Sequence, residues 1–290
     1  MKNDMIISSM LPKVRIHTWG GLGSQLYAVA LANDLQKKFN YRRIKYISHT
    51  SGVTRREPAL QFYSKDIREK NDYSKTTHAQ GHTKYRTKLS FLVKKILISV
   101  GIMAYCNDDK ETDNLKPWIL IIRGHYSNRR ISFESATRIL QRINSEFDSE
   151  TDHKDLENIT LHYRLGDLVT LPEKSPIETN QVRNVLKMVL DKAETRTLYL
   201  HSDSILLAKS KLMNERQKFN IVTKDLSPLK TVHECVRSKV FIGTNSKISI
   251  WVAILRATKN SDQTSYLPEA IKHMLSSQES SFVTKSIKFY

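Results

Sequence analysis

The sequence has few cysteines, no long apolar run and a shortage of acidic residues. Cys106 and Cys235 are the two cysteines among 290 residues. Two cysteines are too few for a disulfide framework, and we expect reduced thiols in a cytoplasmic protein. The longest apolar run, residues 96–106, is far shorter than the roughly 20 residues of a membrane-spanning helix. The first 13 residues contain no sustained apolar stretch, so we expect no signal peptide.

Acidic residues are outnumbered by basic ones. The 47 Lys and Arg against 29 Asp and Glu give a net charge of +18. Such a charge attracts polyanions, including nucleic acid, anionic lipid head groups and phosphorylated substrates, and it does not choose among them. The basic runs at 42–45 and 55–56 are accompanied by no nucleic-acid-binding motif, so we expect no specific nucleic acid partner. A peripheral contact with the inner face of the cytoplasmic membrane stays open.

Several catalytic and metal-binding patterns are also missing. The ten histidines include no HExxH pair, and no CxxC motif occurs, so we expect no metal site. There is no GxSxG nucleophile elbow either.

The first half of the chain alternates strand-like and helix-like segments. Val14, Ile16 and Thr18 alternate with Arg15, His17 and Trp19, which predicts a half-buried strand. Apolar residues at helical spacing up to Phe39 predict a helix. Further segments predict a strand at 42–48, a long loop at 64–88, a buried or half-buried helix at 89–105, a strand at 117–126 and a helix at 136–147. A lipid-facing helix is the alternative at 89–105.

The second half is more regular. It predicts strands at 159–164, 198–202, 220–223 and 240–243, and helices at 180–193, 229–237 and 247–256. Such alternation predicts parallel sheets covered by helices on both faces. We therefore expect an α/β protein of two doubly wound Rossmann-like domains, divided in the polar stretch 148–158 into residues 1–152 and 153–290.

Four polar stretches lie at or just after the carboxyl ends of predicted strands, where open α/β sheets bind ligands. The first is "GGLGSQL", in which Gly20, Gly21 and Gly23 could let backbone N–H groups face an anion at a helix N-terminus. Its spacing is not the dinucleotide-binding fingerprint, and no Walker lysine follows. An ordinary tight turn is the alternative.

The second stretch is "LHYRLGDLV", with His162, Arg164 and Asp167. The planar guanidinium of an arginine at a strand end suits a diphosphate. Asp167 could hold Arg164 or accept a hydrogen bond from a sugar hydroxyl. A surface ion pair beside a turn is the alternative.

The third and fourth stretches carry hydroxyl, amide and carboxylate groups. In "YLHSDS", Ser202 and Asp203 offer acceptors to a base or ribose, and in "FIGTNSKIS" Thr244, Asn245 and Ser246 open a helix. Helix N-termini of this kind bind phosphate. The same residue types are ordinary helix caps, which is the alternative for both stretches.

Taken together, these segments resemble the bacterial α-1,2-fucosyltransferase family. "GGLGSQLYAVALANDL", "IRGHYSNRRIS", "HYRLGD", "LYLHSDS" and the block at 226–255 resemble five family motifs in order, from about Val14 to Leu255. The sequence departs from the family at Ser24 (Asn in the family), Leu165 (Arg), Ser204 (Asp) and Ile250 (Trp).

The resemblance implies a GT-B-like architecture whose two domains face each other across a cleft. Residues 1–152 would form the acceptor side with the Gly-rich loop, and residues 153–290 would bind the nucleotide sugar, with the last helix packing back on the first domain. The implied reaction is metal-independent, inverting transfer of a sugar, L-fucose from GDP-fucose foremost, to a hydroxyl of an oligosaccharide or lipid-linked glycan. The implied setting is O-antigen or capsule biosynthesis.

The resemblance also assigns residues. Arg164 would stabilise the charge on the leaving diphosphate, and Asp167, His162 and Glu173 are the candidates for a general base. The expected donor-binding residues are Gly21, Gly23, Ser24, Gln25, Arg164, Ser202, Asp203, Thr244, Asn245, Ser246 and Ser249. Two other interpretations stay open: a transferase of the same fold with a different nucleotide sugar, and a non-enzymatic α/β protein that binds polyanions or nucleic acid.

Overall fold

A computed structural model describes most of the chain. The described residues are 13–39, 43–49, 59, 84–107, 117–127, 129–147, 156–170, 176–194, 196–213, 219–259, 263–276 and 286–290. They form two compact units, Met1–Arg129 and Arg130–Tyr290.

The first unit is built on a parallel sheet. Its elements are β1 (Lys13–Trp19), α1 (Leu22–Phe39), β2 (Arg43–His49), α2 (Lys84–Ser99), β3 (Met103–Asn107) and β4 (Ile119–Gly124). The strand order is β2-β1-β4-β3, with every described pairing parallel. Val14, Ile16 and Thr18 are buried, as the alternation of β1 predicts.

Two predictions for this unit are wrong. Helix α2 begins at Lys84, inside the predicted loop 64–88, and the rest of that loop lies outside the described residues. The predicted helix 89–105 ends early, because Gly101 adopts φ +72° and the chain continues as β3. Nor is α2 buried between residues 92 and 100, where only Leu97 is half-buried. None of the helices in the described residues is long and apolar enough to cross a membrane.

The second unit contains the other elements. They are α3 (Phe133–Phe147), β5 (Leu156–His162), α4 (Gly166–Thr170), α5 (Thr179–Leu190), β6 (Thr197–His201), α6 (Ile205–Leu212), β7 (Asn220–Thr223), α7 (Pro228–Arg237), β8 (Ser238–Gly243), α8 (Lys247–Thr258), β9 (Thr264–Leu267), a 3-10 turn (Glu269–Ile271), α9 (Lys272–Ser276) and β10 (Ile287–Phe289). Among the strands predicted here, β5 ends at His162 rather than at 164.

The second sheet has the strand order of a Rossmann fold. Its order is β10-β9-β8-β5-β6-β7, again with every described pairing parallel. Counted from β5, this is the order 6-5-4-1-2-3. The fold class predicted from the sequence, two Rossmann-like α/β units, is confirmed.

Helices cover both faces of the second sheet. On one face, Leu161 of β5 and Leu200 of β6 share a buried core with Val185 of α5 and Ala208 of α6. On the other face, α7 packs on β5 and β8, α8 packs on β8 and β9, and α3 packs on α7 and α8. Because α3 belongs to this layer, the second unit begins at Arg130, earlier than the predicted boundary at 152. The predicted cleft, and the packing of the last helix on the first unit, stay predictions.

Candidate functional site

The carboxyl end of β5 marks the switch point of the second sheet. From β5 the chain continues to β6 and β7 on one side, then crosses to β8, β9 and β10 on the other. His162 at the end of β5 lies level with His201 of β6 and with Gly243 of β8. Because open α/β sheets bind ligands where strand order reverses, the loops after β5 and β8 define the candidate site.

Thr244 joins these two loops. Its Oγ1 accepts a hydrogen bond from the backbone N–H of Arg164 at 2.9 Å and donates to the carbonyl of His162 at 3.1 Å. The Thr244 side chain is completely buried. One hydroxyl therefore fixes the backbone that carries Arg164.

Two serines organise the start of α8. Ser246 is the N-cap residue, and its Oγ accepts from the backbone N–H of Ser249 at 3.0 Å. The Ser249 hydroxyl lies 2.9 Å from that of Ser246 and accepts from the N–H of Thr244 at 3.1 Å. Ser246 and Ser249 are both buried.

The imidazole of His162 completes this cluster. Its Nδ1 lies 3.1 Å from the Ser249 hydroxyl and 3.4 Å from that of Ser246. Burial, with smaller contributions from His201 and Arg164, lowers the pKa of His162 to about 3, although Asp203 opposes this. His162 is therefore a neutral hydrogen-bonding group at physiological pH, and its role as a general base stays a prediction.

These contacts bear on the phosphate-binding site predicted at Thr244, Asn245 and Ser246. Thr244 and Ser249 are fully buried and Ser246 nearly so, with their hydroxyls engaged inside the loop, whereas Asn245 is exposed. The three hydroxyl groups shape the loop, and Asn245 is the member of this stretch that faces solvent. The sequence could not separate these roles because the same residue types serve as caps and as phosphate ligands.

Asp203 has a structural contact that the sequence does not reveal. Its Oδ1 accepts from the N–H groups of Leu165 at 2.9 Å and Gly166 at 3.0 Å, so it caps α4 rather than the helix that follows it. A Cβ at Gly166 would lie 2.3 Å from Asp203 Oδ2, which explains the glycine. The carboxylate is still exposed beside the switch point.

Arg164 is half-buried immediately after β5. The next residue, Leu165, is fully buried in the core with Tyr163 and Val182. Alternation of the chain therefore turns Leu165 inward, at the position where the resembled family carries its second signature arginine.

A pocket opens beside this loop at the carboxyl ends of β6 and β7. Its volume is about 580 Å³. The lining residues are Ser202, Asp203, Ser204, Ile205, Leu206, Leu207, Asp225 and Leu226. Of these, the sequence analysis identified Ser202 and Asp203. Asp225 was missed, although it follows β7 closely and the same strand-end argument would have found it.

His201 is a second buried histidine that the sequence analysis missed. It is 2% exposed, and its Nε2 lies 3.9 Å from Oε2 of Glu234, which also pairs with Lys224 at 2.8 Å. Burial lowers the pKa of His201 to about 4, with Lys224 adding to the effect and Glu234 opposing it. Two neutral histidines thus lie level on β5 and β6 beneath the candidate site.

In the first unit, the Gly-rich loop forms a tight turn into α1. Gly20 adopts φ +93°, while Gly23 lies inside the helix and is buried. Ser24 is also buried. The side chain of Gln25 is engaged by backbone groups: it donates to the Gly20 carbonyl at 3.3 Å and accepts from the Ala59 N–H at 2.9 Å. Because Gly23, Ser24 and Gln25 are buried, we interpret them as supports of the turn. Their contact with a donor stays a prediction.

The same carboxyl edge of the first sheet carries a strained tyrosine. Tyr126 adopts φ +57° and is fully buried, and its hydroxyl donates to the carbonyls of His17 and Ile122. His125 contacts the carbonyl of Trp19 at 3.2 Å. These contacts link the loop after β4 to β1.

Two predicted site residues lie wholly or partly outside the described part of the chain. The side chain of Asp167 and all of Glu173 lie outside the described residues. Among the residues that are described, no group of three or more His, Cys, Asp or Glu could hold a metal ion. Metal independence stays a prediction.

Comparison with known proteins gives similarity of fold. No family model matches the chain, and no curated protein matches it. Among solved structures, it is similar to POFUT1 in complex with GDP-fucose, with 10% identity, a TM-score of 0.48, and coverage of 88% of this chain and 98% of that one. It is also similar to NodZ alpha-1,6-fucosyltransferase soaked with GDP-fucose, with 11% identity, a TM-score of 0.43, and coverage of 84% of this chain and 92% of that one. For E. coli heptosyltransferase WaaC with ADP, the identity is 10%, the TM-score is 0.45, and the coverage is 88% of this chain and 87% of that one. Similarity at this level carries no argument about substrate or chemistry.

Proposed function

We propose that the protein is a glycosyltransferase that uses a nucleotide sugar as donor. The observation that carries this proposal is the loop pair at the switch point of a Rossmann-ordered sheet, where Thr244 fixes the backbone of Arg164. The Arg164 cation, with exposed Asn245 and the exposed Asp203 carboxylate on the loops after neighbouring strands, suits the diphosphate and sugar parts of such a donor.

Arg164 would supply the main catalytic interaction. When a glycosyl bond to a nucleoside diphosphate breaks, negative charge develops on the leaving phosphate while the sugar becomes oxocarbenium-like. The Thr244 hydrogen bond fixes the backbone of Arg164 at this site, from which its guanidinium would stabilise that charge. This role needs no metal ion, in agreement with the proposed metal-independent reaction.

His162 would act by positioning. Its neutral ring contacts both serines at the start of α8 through Nδ1, so it links the end of β5 to the loop after β8. For the general base of an inverting reaction, we propose Asp167 or Glu173 rather than His162.

The open pocket beside Asp203 would receive the nucleoside. It combines leucine side chains with the carboxylates of Asp203 and Asp225, a combination of apolar surface and hydrogen-bond acceptors that suits a base and a ribose. We propose a GDP-sugar, GDP-fucose first. A different nucleotide sugar is the second candidate, favoured by Leu165, which packs into the core where the family has an arginine.

The acceptor would be a hydroxyl of an oligosaccharide or lipid-linked glycan, in O-antigen or capsule biosynthesis in the cytoplasm. The net charge of +18 supports a peripheral contact with an anionic membrane, where lipid-linked acceptors reside.

A nucleotide panel tests the proposal. The melting temperature is measured with GDP, UDP, CMP, dTDP and ADP, each with and without its sugar. We expect one nucleotide to raise it, because a ligand that binds only the folded state stabilises that state. The protein should then transfer the sugar of the matching nucleotide sugar to a glycan hydroxyl. This transfer should continue in excess chelator. Binding of generic DNA with strong salt dependence, and no response to any nucleotide, would favour the polyanion-binding alternative.

A further inference from the structure

An exposed apolar surface lies on the first unit, on α2 and on the segments that enter β3 and β4. It consists of Leu92, Val93 and Ile96 on α2, Val100 and Ile102 after it, and Trp118 before β4. These side chains are 57, 48, 53, 60, 41 and 47% exposed, respectively. Large apolar side chains that cluster on a surface mark a site of interaction.

The backbone brings these residues together at one edge of the sheet. The N–H of Ile119 donates to the carbonyl of Ile102 at 2.9 Å, which places Trp118 beside the chain segment that leaves α2. Both segments lie at the amino ends of β3 and β4, opposite the loops that follow β1 and β4. Helix α2 itself packs on β3, the edge strand of the sheet.

The charge around this surface indicates which kind of partner would bind it. Residues 84–107 contain five Lys and Arg and no Asp or Glu, and Lys94 and Lys95 are exposed among the apolar side chains. The first unit, residues 1–129, has 23 basic against 10 acidic residues, or +13, while residues 130–290 have 24 against 19, or +5. Most of the net positive charge therefore belongs to the unit that exposes this surface.

We propose that the exposed apolar surface docks the protein on an anionic lipid bilayer, with α2 lying in the plane of the interface. Leucine, valine and isoleucine side chains would enter the boundary between head groups and acyl chains, and Trp118 would lie at head-group level, where tryptophan is enriched. Lys94 and Lys95 would contact acidic head groups. This inference does not depend on the proposed nucleotide chemistry.

Vesicle flotation tests the proposal. Wild-type protein is mixed with vesicles of phosphatidylcholine alone or with about one-third phosphatidylglycerol. We expect binding to the anionic vesicles, and at least ~10-fold weaker binding for a Leu92→Glu, Ile96→Glu double variant, because two apolar side chains that would enter the bilayer are lost. Met188→Glu with Met213→Glu is the matched control: it adds the same charge at methionines that are 39% and 52% exposed in the second unit, and it should bind like wild type.

Tryptophan emission gives a readout that needs no surface-charge variant. The sequence has three tryptophans, and Trp251 is fully buried while Trp118 is 47% exposed. Anionic vesicles should shift the emission of wild type to shorter wavelength, and brominated lipid should quench it, with both effects lost in Trp118→Phe. No binding by wild type, or equal loss in the control variant, would overturn the proposal. So would dimerisation of wild type that Leu92→Glu, Ile96→Glu abolishes without any vesicle binding.

Discussion

At the scale of single residues, the candidate site depends on which side chains are buried and which face solvent. Thr244, Ser246 and Ser249 face inward and hold the loop, while Arg164 and Asn245 remain accessible to a ligand. A polar cluster of this kind can specify the position of a cation without touching the substrate itself.

Replacing Arg164 tests the catalytic assignment. Arg164→Ala should reduce transfer by at least ~10²-fold, the scale of losing one preorganised charge-stabilising donor. Steady-state kinetics with the donor identified by the nucleotide panel measures this reduction in the transfer rate. Arg138→Ala, which removes an exposed arginine paired with Glu134 on α3, should leave the rate unchanged. Near-full activity of Arg164→Ala would refute the assignment.

Replacing Thr244 tests the link between the loops. Thr244→Val keeps the shape of the side chain but leaves the N–H of Arg164 and the carbonyl of His162 without their partner. We expect the free energy of unfolding to fall by about 1–3 kcal/mol in chemical denaturation, because buried polar groups become unsatisfied. Thr244→Ser keeps the hydroxyl and should lose clearly less stability; equal losses would show that the hydrogen bonds contribute little.

At the scale of elements, one side chain of the second unit caps a helix that follows a different strand. Asp203 follows β6, yet it caps α4, which follows β5. The short helix that carries the Gly166–Asp167 turn therefore depends on a residue far away in the chain.

A double-mutant cycle tests this cap. Asp203→Ala should lower the free energy of unfolding by about 0.5–2 kcal/mol, as loss of an N-cap does. Gly166→Ala should also destabilise wild type, because its Cβ would displace the Asp203 carboxylate. In the Asp203→Ala background the same change should be neutral or stabilising, since alanine favours helix. Additive losses from urea denaturation would contradict the cap.

Much of the fold could be predicted because its elements carry clear periods. The alternation in β1 and the helical spacing in α3 and α5 follow directly from one buried face each. Strand β3 was missed because its apolar residues continue those of α2 with only Gly101 between them. The exposure of α2 agrees with the alternative left open for 89–105 rather than with the favoured buried helix, because an apolar helix that packs in a core and one that faces a partner have the same composition.

The candidate site was predictable in position but not in detail. Strand ends identified His162, Arg164, Asp203 and Thr244, because parallel strands bring their carboxyl ends to one edge. Tertiary contacts decided the rest: the Thr244 hydroxyl is used by the backbone, and Asp203 by a distant helix. No local pattern distinguishes such a residue from one that faces a ligand.

At the scale of the whole molecule, the two buried histidines link stability to pH. The pKa values of His162 and His201 are lowered from 6.5 to about 3 and about 4 in the folded state. The unfolded chain therefore binds protons that the folded protein does not, so their contribution is fully present above pH 6.5 and is lost as the pH falls towards 4.

Denaturation across this range measures the effect. Each histidine should lower the free energy of unfolding by about 1.4 kcal/mol per pH unit below pH 6.5. His201→Leu should flatten the dependence, whereas His273→Gln, at an exposed histidine, should not. An unchanged slope in His201→Leu would show that this histidine is protonated in the folded protein.

A crystal structure with the nucleotide that most raises the melting temperature tests most directly whether the switch point of the second sheet binds the diphosphate of a nucleotide sugar. We predict that the diphosphate contacts the Arg164 guanidinium and the loop at Asn245, with the nucleoside in the pocket beside Asp203 and Asp225. A nucleotide bound away from the ends of β5 and β8, with Arg164 not contacting it, would contradict the claim.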